Sequence, residues 1–149
     1  MNFIVHVNTF ITNEQDQILL VREKKEAIYN KLNLPGGHLE LNEPLVACAK
    51  REAREEMNID IHILSVLGVY TGRGKDHYIN FIFLGKIANG EPTANQNEIN
   101  NVDWYSMEEI LKMPENTILN PKKLKKAIAA YKSGRQWPLD VIQEEVYGI

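Results

Sequence analysis

The sequence predicts an α/β protein of the α+β kind, with a mixed β-sheet covered by helices on both faces. Three observations carry this. Phe3 to Thr12 is rich in β-branched and aromatic residues, and two further apolar runs, Ile59 to Tyr70 and His77 to Ala88, flank a long polar loop. Between Glu43 and Asn58 the apolar spacing changes to that of a helix, and it does so again after Pro121. Strands interrupted by one helix in the middle and one at the end must bury both faces of the sheet. No repeat, linker or low-complexity stretch divides the chain, so residues 1–149 are expected to form a single domain.

Taken in order, Asn13-Glu14-Gln15-Asp16-Gln17 interrupts the first strand before Ile18 to Val21 resumes it, which is a hairpin signal. Lys24 to Lys31 is a polar connection leading to Leu32-Asn33-Leu34 and then Pro35-Gly36-Gly37, where two glycines allow positive φ or close approach of the backbone to a ligand. Pro44 suits the first turn of the next helix, whose N–H groups lack partners in any case. In that helix Val46, Ala49, Ala53 and Met57 make a narrow apolar stripe. The runs 59–70 and 77–88 read as an antiparallel pair around Thr71-Gly72-Arg73-Gly74-Lys75-Asp76. The polar stretch Asn89 to Asn101 leads to a short strand, Val102 to Tyr105. Ser106 with Glu109 three residues on is a capping box opening a helix over Met107 to Met113. Asn120-Pro121 opens the last helix, lined on one side by Leu124, Ile128 and Tyr131 and ended by Ser133-Gly134.

Within the middle helix Glu52, Glu55 and Glu56 stand three and four residues apart, crowding three carboxylates onto one face, where like charges repel. They also lie in its last turns, where the helix carries partial negative charge and favours Lys or Arg. Two local rules are thus broken together, and a cation is the expected compensation. Hard divalent ions take oxygen ligands, and Mg2+ in particular is held by a few carboxylates plus substrate phosphates. A solvated helix face is the plainer explanation for such a cluster taken alone.

The cluster belongs to a longer pattern: Gly37, five residues, Glu43, seven residues, Arg51-Glu52, then Glu55-Glu56, and Ile59. This resembles the signature of the Nudix hydrolases. With about 7% usage for each of the six invariant residues matched, Ile59 left aside, chance agreement is on the order of one in ten million per starting position. One position departs from the pattern: Asn58 stands where the family has Gly. The physical demand there is left-handed backbone, for which Asn is the usual second choice.

The resemblance implies an α/β/α sandwich with a mixed sheet. It implies metal-dependent attack of water at phosphorus in a substrate that joins a diphosphate to another group. In that scheme Glu55 and Glu56 are direct metal ligands, Glu52 binds metal or water and is the candidate base, and the Gly37 carbonyl oxygen completes the set. Arg51 orients these glutamates or is an ordinary helix ion pair with Glu55, and Glu43 anchors the loop through the Arg51 guanidinium. Gly36, His38 and Glu40 are the candidate substrate-binding residues of the loop, with Glu40 backing the metal ligands or merely exposed. Glu98, six residues before Trp104, resembles an extra carboxylate that family members often place before a late Trp, with Glu91 as its competitor. The implied cofactor is Mg2+, with Mn2+ as a substitute.

Asn33 to Glu40 and the stretch Tyr131 to Asp140 look like a bacterial subgroup that cleaves nucleoside tri- and diphosphates and thiamine-type pyrophosphates. Trp137 is read as a packing anchor, with stacking on a base as the alternative. A nucleotide-sensing Nudix-like domain without catalysis is the alternative function, although such domains usually lose box glutamates that this chain keeps.

Composition narrows the field further. With 44% hydrophobic and 25% charged residues the chain is ordinary in usage, and disorder is expected only at the tail. A net charge of −3 argues against a general nucleic-acid binder. The Lys122, Lys123, Lys125, Lys126 cluster reads as the solvated side of the last helix, and Arg73, Lys75 and His77 as a solvent-exposed loop. Cys48, the single cysteine, has no disulfide partner and is expected to be buried filler. No run approaches a transmembrane span and the start lacks a signal-peptide pattern, so no membrane partner and a cytoplasmic location are expected. The sequence leaves monomer and homodimer open.

Overall fold

The computed structural model describes residues 1–144; the tail expected to be disordered lies outside the described residues in its last five positions. In chain order the elements are β1 (Phe3–Ile11), β2 (Gln17–Glu23), β3 (Leu32–Asn33), β4 (Gly36–His38), α1 (Leu45–Met57), β5 (Asp60–Arg73), β6 (His77–Asn89), β7 (Ile99–Ser106), α2 (Met107–Lys112), α3 (Pro121–Lys132) and β8 (Trp137–Pro138). They form a five-stranded mixed sheet in the order β4-β1-β6-β5-β8 and a three-stranded antiparallel sheet in the order β3-β2-β7. β1 and β6 run parallel, and the other pairs in the larger sheet are antiparallel.

Side-chain alternation along the strands distributes the core. Phe83 of β6, with Val7 and Val66, packs on Cys48 and Ala49 of α1, while its neighbours Ile82 and Leu84 point the other way, into a cluster with Leu124, Ala127 and Ile128 of α3. Helices therefore cover both faces of the larger sheet, as the two-residue period of a strand requires. The small residues Cys48, Ala49 and Ala53 bring α1 close to the strands, and Met57, fully buried with Ile11, Leu19 and Ile59, fills the seam toward the second sheet. Each large apolar side chain buried this way contributes about 1.5–3 kcal/mol.

Two expectations are corrected. β1 and β2 do not form a hairpin: they belong to different sheets and meet only at the single bridge Thr12–Ile18. β1 instead pairs with β4 and β6, because its alternating apolar faces are satisfied only in the centre of a sheet. The connection between β5 and β6 is also shorter than the polar residues suggested, since Thr71 to Arg73 stay in register opposite Ile79 to His77. Arg73 and Lys75 are exposed there, and His77 is half-buried.

Local signals hold at the helix ends. Asn58 caps α1 in the left-handed conformation, φ 57° and ψ 37°. Ser106 and Glu109 close both arms of the capping box on α2, and Asn120 accepts from the Lys123 N–H at the start of α3. No helix among the described residues is long and apolar enough to cross a membrane.

Candidate active site

Two glycines and one helix end build the site. Gly36 has φ +151°, and a Cβ on it would lie 2.1 Å from the Val7 carbonyl oxygen, so any side chain there collides with β1. Its N–H donates to Glu56 Oε1 at 2.8 Å. A Cβ on Gly37 would come within 2.4 Å of Glu52 Oε1. The double glycine thus lets the β4 strap lie directly against the carboxylates of α1, which is the close approach that only glycine permits.

The last carbonyls of α1 are claimed by the loop that follows β6. Thr93 N–H donates to Met57 O at 3.0 Å, Asn95 N–H to Glu56 O at 2.8 Å, and Asn95 Nδ2 to Glu55 O at 2.8 Å. Asn58 contributes in return, its Nδ2 donating to Thr93 O at 3.2 Å. Glycine would supply the left-handed turn but not this bond, which accounts for Asn58 physically. These donors satisfy carbonyls that every helix C-terminus leaves open, and they fix the loop that carries Glu98.

Arg51 supplies the cation that the crowded glutamates require, in part. Its Nε and Nη2 meet Glu43 at 2.6 and 3.0 Å as a two-pronged pair, Nη1 lies 3.0 Å from both Glu52 Oε1 and Glu55 Oε2, and Nη2 donates to the His38 carbonyl at 3.1 Å. Glu40 reaches the same guanidinium at 3.6 Å. Arg51 therefore makes the helix ion pair with Glu55, and the same guanidinium also contacts Glu52, Glu43 and the His38 carbonyl, linking the β4 strap and its loop to α1. The bond to Arg51 holds the Glu43 carboxyl below its usual range and raises Arg51 in turn. Cys48 lies buried beneath this knot, and burial pushes its thiol up to about 12, so it stays protonated.

One guanidinium does not neutralise the cluster. Burial pushes Glu56 well above the usual carboxylate range, with Glu52 adding to the effect, the Gly36 N–H opposing it, and Glu23 and Glu98 adding further. Burial also raises Glu52, against the pull of Arg51, with Glu55 and Glu98 raising it further. Glu23, on β2, was not foreseen: it is 9% exposed and receives a hydrogen bond from Asn33 Nδ2 at 3.0 Å. A lone carboxylate at the end of the apolar run Ile18–Val21 was its only signal.

These groups face a cleft of about 1150 Å³. Gly36, Gly37, His38, Glu40, Arg51, Glu52, Glu55, Glu56 and Glu98 all line it, as does Glu23, whereas Glu91 is exposed outside it and Glu43 sits behind Arg51. His38 stacks on His6 with ring centroids 4.6 Å apart. Burial, with His38, Lys123 and Lys25 beside it, lowers His6 to about 4, so that imidazole is neutral at pH 7.

On the opposite wall Lys122 and Lys126 are exposed, as a solvated helix face requires, whereas Lys123 is half-buried. Lys122, Lys123 and Lys126 line the cleft, and only Lys125 turns away, to pair with Glu115 at 2.8 Å. Trp137 does not reach this cleft. It pairs with Val66 on the sheet edge and lines a separate apolar hollow of about 520 Å³ beside α3.

Comparison with known proteins bears on this arrangement directly. The NUDIX domain model matches residues 2–127, most of the chain and all of the glutamate site. The chain belongs to the NUDIX family. Among its relatives is phosphatase NudJ from Shigella boydii, 29% identical over 137 residues covering 89% of this chain and 86% of that protein. Another is 8-oxo-dGDP phosphatase NUDT18 from Danio rerio, 29% identical over 117 residues, 76% of this chain but 35% of that protein. A NUDIX hydrolase from Nitrosomonas europaea superposes with a TM-score of 0.84 at 28% identity, covering 94% of this chain and 95% of that one. The protein is a MutT-like Nudix hydrolase, an enzyme of the pyrophosphohydrolase type.

For this Nudix hydrolase the donor set suits a hard divalent cation, since every candidate ligand is an oxygen and the carboxylates outnumber the guanidinium that meets them. Among the described residues no three His, Cys, Asp or Glu are already gathered into a ready ligand set. Glu52 and Glu55 both lie 3.0 Å from Arg51 Nη1.

Proposed function

We propose that the protein hydrolyses a pyrophosphate linkage in a small nucleoside di- or triphosphate, or a related diphosphate compound, by Mg2+-dependent attack of water at phosphorus, with Mn2+ as a possible substitute. The observation that carries this is the juxtaposition of Glu52 and Glu56 with the Gly36-Gly37 strap on one wall of an open cleft. Both carboxyls are raised by burial beside further carboxylates, an arrangement that is costly without a cation. The phosphatase relatives, one of them named for a nucleoside diphosphate, support a nucleotide substrate.

In this reading Glu55, Glu56 and Glu98, with Glu52 and the Gly37 carbonyl, would hold the metal. Bound there, the metal would offset phosphate charge and lower the pKa of bound water. Glu52 is the base that takes the proton of the attacking water, and its raised carboxyl suits that role. Gly36 N–H fixes Glu56, and Arg51, held from behind by Glu43, sets Glu52 and Glu55 at 3.0 Å each. His38 and Glu40 line the strap's side of the cleft, where substrate would lie. The protein is read as one domain over residues 1–149, acting in the cytoplasm on small molecules.

The test is a metal-supplemented screen of nucleoside tri- and diphosphates, sugar nucleotides, dinucleoside polyphosphates and thiamine pyrophosphate, with products identified. Mg2+-dependent release of orthophosphate or pyrophosphate is expected. Tight nucleotide binding with no product at any metal concentration would contradict it.

A further inference from the structure

We propose that Lys123 holds a phosphoryl group of the substrate beyond the pyrophosphate linkage at the glutamates, on the far side of the cleft from them, and so favours phosphate chains long enough to reach it. This rests on the hydrolytic reading and extends it to the opposite wall.

Lys123 lies in the first turn of α3, where the helix end is itself partially positive and disfavours a cation. It is half-buried, and among the described residues no carboxylate lies within ion-pair distance of it. Burial lowers it to about 8, so the ammonium form persists at neutral pH only at some cost. The same double breach of local rules that marks the glutamates thus recurs across the cleft with opposite sign.

The ammonium is also held in place. Its Nζ donates to Asn80 Oδ1. Asn80 is 4% exposed, and its Nδ2 donates to His6 O at 3.2 Å and to Asn8 Oδ1 at 2.9 Å, which fixes the amide with its oxygen toward the lysine. Asn8, equally buried, donates to Leu34 O at 2.9 Å. This polar chain crosses β6 and β1 and ends on the segment that leads into Gly36, so the lysine and the Glu56 strap are referenced to one rigid frame. From β4 to β6 is two strand spacings, roughly 10 Å. A triphosphate carries a phosphoryl group beyond the pyrophosphate linkage that could reach this lysine, and a diphosphate carries none. A compact ammonium with N–H groups to spare is a phosphate ligand of the point-charge kind.

The experiment uses Lys123→Gln, which removes the charge while keeping a donor for Asn80, and Lys123→Arg, which keeps the charge. KM and kcat are measured with Mg2+ for a nucleoside triphosphate and its diphosphate, and affinity for inorganic tripolyphosphate and pyrophosphate is measured by calorimetry. Lys123→Gln is expected to raise the triphosphate KM and weaken tripolyphosphate about tenfold, the loss of one charge-assisted bond, with kcat and the diphosphate constants nearly unchanged. Lys123→Arg should restore most of the difference. Equal losses on both chain lengths, no loss, or a loss in kcat alone would overturn the inference. Lys123→Met replaces the Gln variant if that fails to fold, with the same expected outcome. Wild-type protein that binds tripolyphosphate through Lys123 but hydrolyses nothing would sink the hydrolytic reading and leave this one standing.

Discussion

Gly37 and Glu52 approach so closely that a methyl group on the glycine would lie 2.4 Å from Oε1 of Glu52, the carboxylate proposed as the base. The atom it would meet is the end of a flexible side chain, which can swing aside. Gly37→Ala should therefore leave the melting temperature close to that of wild type while turnover falls about 100-fold, the scale expected for a displacement near 1 Å. Gly36→Ala should behave oppositely, because its Cβ would strike backbone at 2.1 Å and its φ of +151° is unsuited to a side chain. Here the fold itself should weaken, by about 1–3 kcal/mol for the strained backbone alone. Thermal melts and steady-state kinetics of both variants check the contrast.

Arg51→Lys keeps the charge but loses the planar fork that meets Glu43 at 2.6 and 3.0 Å while also reaching Glu52, Glu55 and the His38 carbonyl. An ammonium cannot serve all of these at once. The predicted result is a stability loss of about 1–3 kcal/mol, the range for buried groups left without a partner. kcat should drop at the same time, because Glu52 and Glu55 lose their common anchor. Denaturant unfolding gives the first quantity and initial rates give the second.

Glu56 supplies a pH test. Burial raises its carboxyl, so the fold favours the protonated form; that contribution is fully present below the unfolded value near 4.5 and is lost as pH rises through the raised folded value. Each unit of such a shift corresponds to about 1.4 kcal/mol. With metal chelated, Glu56→Gln should melt higher than wild type at pH 8, and the advantage should vanish near pH 4. A constant difference across that range would show that the carboxyl is not perturbed by the fold.

What could be read from sequence was mostly what is local. The left-handed Asn58, the Ser106–Glu109 box and the Asn120 cap depend on a few neighbouring residues, and all three stand in the structure. The glutamate spacing fixed which side chains share the C-terminal turns of α1. What escaped depends on partners far along the chain. Asn13 to Gln17 has turn chemistry, yet β1 pairs with β4 and with residues His77 to Gly85 of β6 rather than with β2. Lys123 of α3 was read as solvated with its neighbours because a helix period cannot say which side packs against a sheet. Asn8 and Asn80, lone amides inside apolar strands, were the overlooked sign that a polar path crosses the sheet there. Whether the proposed residues act as ligands and base is a question of chemistry, not of position.

The most direct measurement is the Mg2+ dependence of nucleoside triphosphate hydrolysis by wild type and Glu55→Gln, after complete chelation. The account predicts that the stripped wild type is inactive, that Mg2+ restores it, and that Glu55→Gln stays at least about 100-fold slower at saturating Mg2+, as expected when an electrostatic element of the transition state is lost. Undiminished turnover in the presence of chelator, or a Glu55→Gln variant as fast as wild type, would contradict it.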